Sequence, residues 1–463
     1  MAEPVGVLAR IAQSKREDLA RRFDGVSLGA LRSRAEPTDR SLAAMLGQSG
    51  TRFILEIKKA SPSEGAIRAG ADPAVLARGY AGVADALSVL CDREYFGGSL
   101  DDLTAARAEF EGPILAKDFF IDLRQVAEAR IAGADAILVM LSLLDDAEAQ
   151  AMITEAKRFG MDALVEVHDE AEMRRALALD APVIGINNRD LRDLTIDLAT
   201  TERIANLARD RILVSESGVN SRADVARLAP LVDAFLIGSS LMRSAEPAQA
   251  ARDLIFGRVK ICGLNSGVPL HAARPAAFTG FVFASGSPRH VSVDEAGPLA
   301  QTSRSFGQRP VGVFRDVALG AVASAAREAS LHAVQLHGDY GAADIRTLRA
   351  SLPQHCEIWT ALSVGRDDLA PRGGDRLLFD NGDGGTGHGF DWSLIENHPD
   401  LPRALVAGGI GVANAKEAQQ LGAYAIDLCS SVEERPGLKS VEKVAALFET
   451  LRPAARERIL ECA

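Results

Sequence analysis

The stretch ILVSESGVNS (residues 212–221), followed by AFLIGSSL (234–241), has a counterpart in the second half of the chain: ALVAGGIGVA (404–413), followed by AIDLCSSV (425–432). In each pair a glycine of the first motif, Gly218 or Gly409, precedes a serine of the second, Ser239 or Ser430, by 21 positions. An apolar run that ends in small residues lets backbone N–H groups come close to an anion. The short helix after it then turns its positive N-terminus toward that anion. Two adjacent strand ends of this kind make the phosphate site of the last two units of a (β/α)8 barrel. The chain therefore reads as α/β, with two consecutive (β/α)8 TIM barrels that each hold a phosphorylated small molecule.

Length and composition agree. The 463 residues fill two barrels of roughly 200–250 residues each. A chain 47% hydrophobic and 25% charged is ordinary for a globular protein. The net charge of -11 comes without clustered basic stretches, so no nucleic-acid partner is expected and a few local cations must meet any anionic substrate. The cysteines, Cys91, Cys262, Cys356, Cys429 and Cys462, are scattered and form no C-x-x-C pair. That argues for a reducing compartment and against a disulfide framework or a metal site. No segment resembles a signal peptide or a membrane span. A cytoplasmic monomer with no membrane partner is expected.

Short apolar runs alternate with longer amphipathic stretches, the pattern of βα units. Strands are expected at 53–59, 86–92, 113–119, 136–141, 162–168, 183–190, 212–217 and 234–240, and again at 259–264, 280–285, 309–314, 333–338, 358–363, 376–381, 404–410 and 425–431. The domains are placed at 1–256 and 257–463, with no Gly/Ser/Pro-rich linker between them. A pair of doubly wound open sheets is the alternative, weakened because no G-x-G-x-x-G follows a first strand. Ahead of the first strand, Val7, Leu8, Ile11 and Leu19 suggest an extra N-terminal helix. It either caps the active site or closes the barrel bottom.

Polar residues of the first half fall at strand ends. Glu56 and Lys58 are two apart, so they share a face. Lys117 ends the third strand, Glu166 the fifth, Asn187 and Arg189 the sixth, Glu216 and Ser217 the seventh. Any one of them can be a structural ion pair. So many at one end of their strands point to a substrate pocket, because an unpaired buried charge is costly.

The motifs EIKKASPS, LAKDF, VEVH, GINNRDL, SESG and FLIGSSLM, in that order, resemble indole-3-glycerol phosphate synthase. VKICGL, GFVFASGSPRHV, VGVF, AVQLHG, LLFDNGDGGTGHGFDW, AGGI and SSVEERPGLK resemble phosphoribosylanthranilate isomerase. The resemblance implies a bifunctional enzyme of tryptophan biosynthesis that acts on phosphorylated anthranilate substrates without a cofactor. For the synthase it implies Lys117 as general acid, on condition that burial or a cation such as Lys58 lowers its pKa. Glu166 serves dehydration and Glu56 holds and polarises the site. Lys58, Arg189 and Asn187 meet the substrate carboxylate, while Ser61, Ser217, Gly218, Gly238 and Ser239 are left for orientation and phosphate.

For the isomerase the resemblance implies Cys262 as base and Asp380 as acid. Arg289 is then set on the anthranilate carboxylate, with Gly408, Gly409, Ser430 and Ser431 on phosphate. A lone cysteine is ordinarily a small buried hydrophobe, but Cys262 lies at a strand end. His337 either lines the pocket or is a satisfied structural histidine. Asn265-Ser266 depart from the usual first loop, and Cys429 and Ser431 from the usual last turn. Cys429 is expected to pack. Three other readings stand beside these: a Schiff-base aldolase using Lys117, a sugar-phosphate isomerase of histidine synthesis, which would more naturally pair two aspartates, and an inactive second barrel that only binds phosphate.

Overall fold

The computed structural model describes residues 7–191, 193–366, 369–382 and 387–456. The side chain of Val7, part of the expected glycine-rich loop (383–386) and Cys462 lie outside the described residues. The chain divides into two compact units, one of Met1–Pro247 with Pro453–Ala463 and one of Ala248–Arg452.

In the first unit β1 (Arg52–Ile57), β2 (Ala86–Leu90), β3 (Ile114–Lys117), β4 (Ala136–Met140), β5 (Asp162–Val167), β6 (Val183–Asn187), β7 (Ile212–Glu216) and β8 (Ala234–Ile237) are parallel and close into a barrel. Closure pairs Arg52 with Ala234 on one side of β1 and Ile54 with Ala86 on the other. The second unit repeats the plan with β9 (Val259–Cys262), β10 (Phe278–Val282), β11 (Arg309–Arg315), β12 (Ala333–His337), β13 (Glu357–Ser363), β14 (Arg376–Asp380), β15 (Leu405–Val406) and β16 (Ala425–Leu428). These are (β/α)8 barrels, as expected.

The strands form because Val, Ile, Leu, Phe and Ala run without alternation. Such runs suit parallel strands covered by helices outside and filled by side chains inside. All of β1 is buried. Phe53 stacks on Phe235 at 5.8 Å in the first core. Phe278 meets Trp359 edge-on at 5.2 Å in the second. The intervening helices open on capping boxes such as Asp122 with Gln125 and Ser292 with Glu295.

The N-terminal strand ends carry a recurring brace. Asp85, Asp135, Asp233 and Asp375, each just before its own strand, accept the backbone N–H of Phe53, Ile114, Leu213 and Ile358 at 2.7–3.0 Å. Polar residues at this end therefore serve stability. The tail also takes part: Arg456 pairs with Asp233 at 2.9 Å within the first unit.

Most expected strands overrun their C-terminal ends. Strand 53–59 stops at Ile57, and 404–410 keeps only Leu405–Val406. There the chain turns, through Gly408 (φ 81°) and Gly409 (φ 66°). A left-handed turn is what glycine permits. Within the second unit Arg252, on the helix Pro247–Phe256, is buried and donates to the carbonyls of Arg274 and Phe306.

The N-terminal helix α1 (Val7–Arg22) lies over the C-terminal strand ends of the first barrel, the active-site side of the two alternatives. Leu8 and Ile11 line the cavity there. Lys15 is nearly buried and bridges Asp92 and Asp118 at 2.7 Å each.

Candidate active sites

In the first barrel every sequence-predicted site residue lines one cavity. Lys117 reaches inward from the end of β3. Its Nζ lies 3.3 Å from Glu166 Oε2 on β5 and also donates to Glu216 Oε2 on β7. Glu56 on β1 pairs with Lys58 at 2.8 Å and accepts from Ser88 Oγ at 3.3 Å. Asn187 Oδ1 accepts from Arg189 N at 3.0 Å. Glycines make room: a Cβ at Gly185 would strike Glu216 Oε1, and one at Gly238 would come within 2.5 Å of Glu56 Oε1.

The electrostatics correct one expectation. Burial disfavours the Lys117 ammonium, but Glu216, Glu166 and Glu56 together outweigh it and hold the pKa above the ordinary lysine value. Lys58 is occupied by Glu56 and does not lower it. Burial and the neighbouring Glu166 push Glu216 up to about 7 against the pull of Lys117. Glu166 is also buried, yet Lys117 and His168 hold it below the usual carboxylate range. One carboxylate is thus ionised at neutral pH while its neighbour is poised to share a proton.

At the cavity mouth Ser217 (φ 64°) and Gly218 (φ 90°) form successive left-handed turns. A Cβ on Gly218 would lie 2.6 Å from Ile196 Cγ2. Gly238 leads into the helix Ser239–Arg243. Arg189 donates to Ser63 Oγ at 2.9 Å and to the Leu194 carbonyl at 3.1 Å, and Ser61 Oγ accepts from Glu64 N at 3.2 Å. Arg243, not anticipated, spans Glu64 at 2.6 Å and Asn220 at 3.1 Å. His168, also missed, hydrogen-bonds Glu172 at 3.0 Å and lies 3.5 Å from Glu166.

The second barrel likewise gathers Cys262, Arg289, His337, Asp380, Gly408, Gly409, Ser430 and Ser431 around one cavity. Cys262 ends β9 and Asp380 ends β14, and both line this cavity. A hydrogen bond from Cys429 and the Lys260 ammonium hold the Cys262 thiol down at about 7, against burial. Burial pushes Asp380 up, favouring its protonated form, although Asn381 N donates to it at 2.8 Å. Gly408 keeps this carboxyl uncrowded, since a Cβ there would come to 3.1 Å from Oδ1.

Beneath Cys262 the buried Lys260 pairs with Asp427 at 2.7 Å. Nearby, Gln335 Nε2 meets His337 Nε2 at 2.7 Å. Burial, Arg315 and Lys260 drive His337 down to about 3, so it is neutral. Arg289 is not loose in the cavity: Glu433 grips it at 2.9 and 2.7 Å, and Lys439 holds Glu433 at 2.6 Å. In the unusual first loop Asn265 donates to the Gly437 carbonyl at 2.9 Å, tying that loop to the hairpin after β16. Lys260 and Asp427 were legible as charges inside apolar strands, the signal that found Glu56.

Two closed eight-stranded barrels, one presenting an ammonium among carboxylates and the other a thiol and a carboxyl in one cavity, define a two-barrel enzyme of the acid–base kind. The family model for indole-3-glycerol phosphate synthase matches residues 8–254, and that for N-(5'phosphoribosyl)anthranilate isomerase matches residues 259–450. Curated relatives match end to end. The tryptophan biosynthesis protein TrpCF of Salmonella typhi is 41% identical over 452 residues, covering 96% of this chain and 99% of the relative. That of Yersinia pestis is 42% identical, covering 87% and 85%. Among solved structures, phosphoribosyl anthranilate isomerase from Thermus thermophilus aligns at 34% identity and a TM-score of 0.38, covering 42% of this chain and 98% of that one.

The chain belongs to the indole-3-glycerol phosphate synthase family in its first barrel and to the phosphoribosylanthranilate isomerase family in its second. It is a bifunctional enzyme of tryptophan biosynthesis. The second barrel isomerises N-(5-phosphoribosyl)anthranilate to 1-(2-carboxyphenylamino)-1-deoxyribulose 5-phosphate. The first converts that product to indole-3-glycerol phosphate with loss of carbon dioxide and water. Among the described residues no helix is long and apolar enough to cross a membrane.

Proposed function

We propose that the residues gathered at each mouth divide the two reactions as follows. In the first barrel Lys117 donates a proton to the ketone oxygen as the aromatic carbon attacks. Its raised pKa keeps Lys117 protonated at neutral pH, so the proton is in place when the developing alkoxide becomes basic enough to take it. Lys58, Arg189 and Asn187 hold the carboxylate until carbon dioxide leaves. Glu166, kept ionised, takes the proton lost in dehydration. Glu216 orients Lys117 and shares its proton, and Glu56 holds Lys58. Ser61, Ser217, Gly218, Gly238 and Ser239 hold the substrate and its phosphate.

In the second barrel Asp380 protonates the ribose ring oxygen, the ring opens to an imine, and the Cys262 thiolate removes the C2′ proton. The resulting enolamine tautomerises to the ketose. Arg289, aimed by Glu433, meets the anthranilate carboxylate, and neutral His337 lines the pocket. Gly408, Gly409, Ser430 and Ser431 bind phosphate. The observation that carries this division is the placement of Lys117 between two carboxylates in one cavity and of Cys262 and Asp380 together in the other.

Assaying the two half-reactions separately tests it. Lys117→Ala should stop the chain at the intermediate with isomerase intact, whereas Cys262→Ala and Asp380→Ala should still close the ring of added intermediate. Loss of both activities in any of the three would overturn the division. The boundary at 256/257 is proposed as the functional one, supported by family matches that end at 254 and resume at 259. We also propose a cytoplasmic monomer, which sedimentation of the purified chain tests.

A further inference from the structure

Cys429 takes no proton in the chemistry above, yet its side chain packs beside Cys262 against the same apolar patch. The contact follows from register. Strands β9 and β16 are neighbours in which Ile261 pairs with Leu428, so the next positions, Cys262 and Cys429, lie side by side at the barrel mouth. Neighbouring strands are about 4.7–4.9 Å apart, inside the roughly 4.4–6.8 Å between Cα atoms that a disulfide spans. Both sulfurs meet the same Val282–Val313 patch and line the substrate cavity.

The surroundings of Cys262 favour sulfur as an anion, while the neighbouring Cys262 and burial push the Cys429 thiol well above the ordinary value, so that it stays protonated. The Lys260 ammonium acts electrostatically on Cys262, and Lys439 Nζ is 3.7 Å from Cys429 Sγ, while Asp427 and Glu433 pair with those ammonium groups and Arg289 acts on both thiols. Thiolate character with access through an open cavity is what makes a cysteine oxidisable. Burial likewise pushes the thiols of Cys91 and Cys356 up, and neither lines this cavity.

We propose that Cys262 and Cys429 form a redox-modification site at which hydrogen peroxide closes the pair to a disulfide, silencing the isomerase and sparing the synthase. The Cys262 thiolate attacks the O–O bond and becomes a sulfenic acid, releasing hydroxide that is protonated to water. Cys429 sulfur then attacks that sulfur and expels the second water. Two thiols give up two electrons and two protons, and the peroxide is reduced to two waters. A dithiol reverses the step by exchange. The activity readout rests on Cys262 being the isomerase base; the covalent readout does not.

The test treats the full chain with hydrogen peroxide, assays each half-reaction, and maps unreduced peptides by mass. Isomerase should fall by about a hundredfold or more, the worth of a positioned base, with synthase unchanged. A peptide linking residues 262 and 429 should appear, two hydrogens lighter, and dithiothreitol should reverse both changes. In Cys429→Ser the linked peptide should vanish. Prolonged exposure should then leave isomerase unrecoverable, because Cys262 proceeds to the sulfinic acid. Absence of the linked peptide in the parent chain, or full recovery in Cys429→Ser, would overturn the site while leaving the Cys262→Ala result standing. A linked peptide with full isomerase activity would overturn the switch and the assignment of Cys262 as base together.

Discussion

The two barrels share strand ends of one design and differ in how they keep charge ready. In the first, two ammonium groups and three carboxylates balance each other in one cluster: Lys58 on Glu56, and Lys117 on Glu166 and Glu216. In the second, the reacting pair is split. Cys262 is biased toward thiolate by Cys429 and Lys260, while Asp380 is biased toward its protonated form by burial. Ring closure must handle a carbonyl, a departing carboxylate and a water in one place, which suits a cluster that can redistribute protons. An isomerisation needs one proton given and one taken, which suits two groups tuned independently.

The largest effects should come from breaking the split pair. Cys262→Ser keeps the shape but offers a hydroxyl in place of a thiolate, so isomerase should fall by about 10²–10⁴-fold while synthase is untouched. Equal loss of both would erase the distinction. Lys260→Met should destabilise the second barrel by about 3–5 kcal/mol, because it strands the buried Asp427. Adding Asp427→Leu should recover most of that in denaturant unfolding, yet move the acid limb of the isomerase profile to higher pH, since Cys262 loses the cation beneath it. Smaller in size is the effect of Glu216→Gln. With Glu216 at about 7 and Cys262 at about 7, both activities should decline as pH falls through neutrality. The substitution should abolish that bend for the synthase alone, at a cost of roughly tenfold in rate.

What the sequence revealed follows from how each feature is encoded. Barrel strands are unbroken apolar runs, so their number and order were legible, and so were charges that interrupt them, such as Glu56 and Lys117. Their C-terminal ends were not, because the same small residues can extend a strand or begin a turn, and only closure of the barrel decides that Val406 ends β15 and Gly408 turns. Partners were hidden for a related reason. Nothing near Lys117 in sequence says that it will face Glu216 rather than Lys58, and the sign of its pKa shift depends on that. The grip of Glu433 on Arg289 joins residues far apart in the chain. The place of α1 was equally open until Lys15 was seen to bridge Asp92 and Asp118.

The finest test of the comparison lies in two histidines at strand ends, one in each barrel. His168 is disfavoured as a cation by burial, but Glu172 and Glu166 prevail and its pKa lies above the ordinary value. The folded state therefore binds this proton more tightly than the unfolded chain. Its stabilisation is complete below the unfolded pKa of about 6.5 and fades as pH rises through the higher folded value. His337 has the opposite sign. Held down to about 3 by burial, Arg315 and Lys260, it is proton-free in the fold. The unfolded chain then takes up the extra proton, and stability is lost as pH falls from about 6.5 toward 3. Melting curves of His168→Gln and His337→Gln against the parent chain should accordingly slope in opposite directions between pH 5 and 8, by on the order of 1 kcal/mol each. His168→Gln should be most damaging at the acid end, and His337→Gln least damaging there. Parallel slopes would mean that the two barrels do not differ in how they hold charge, and that the carboxylate-rich mouth of the first does not attract protons as its geometry requires.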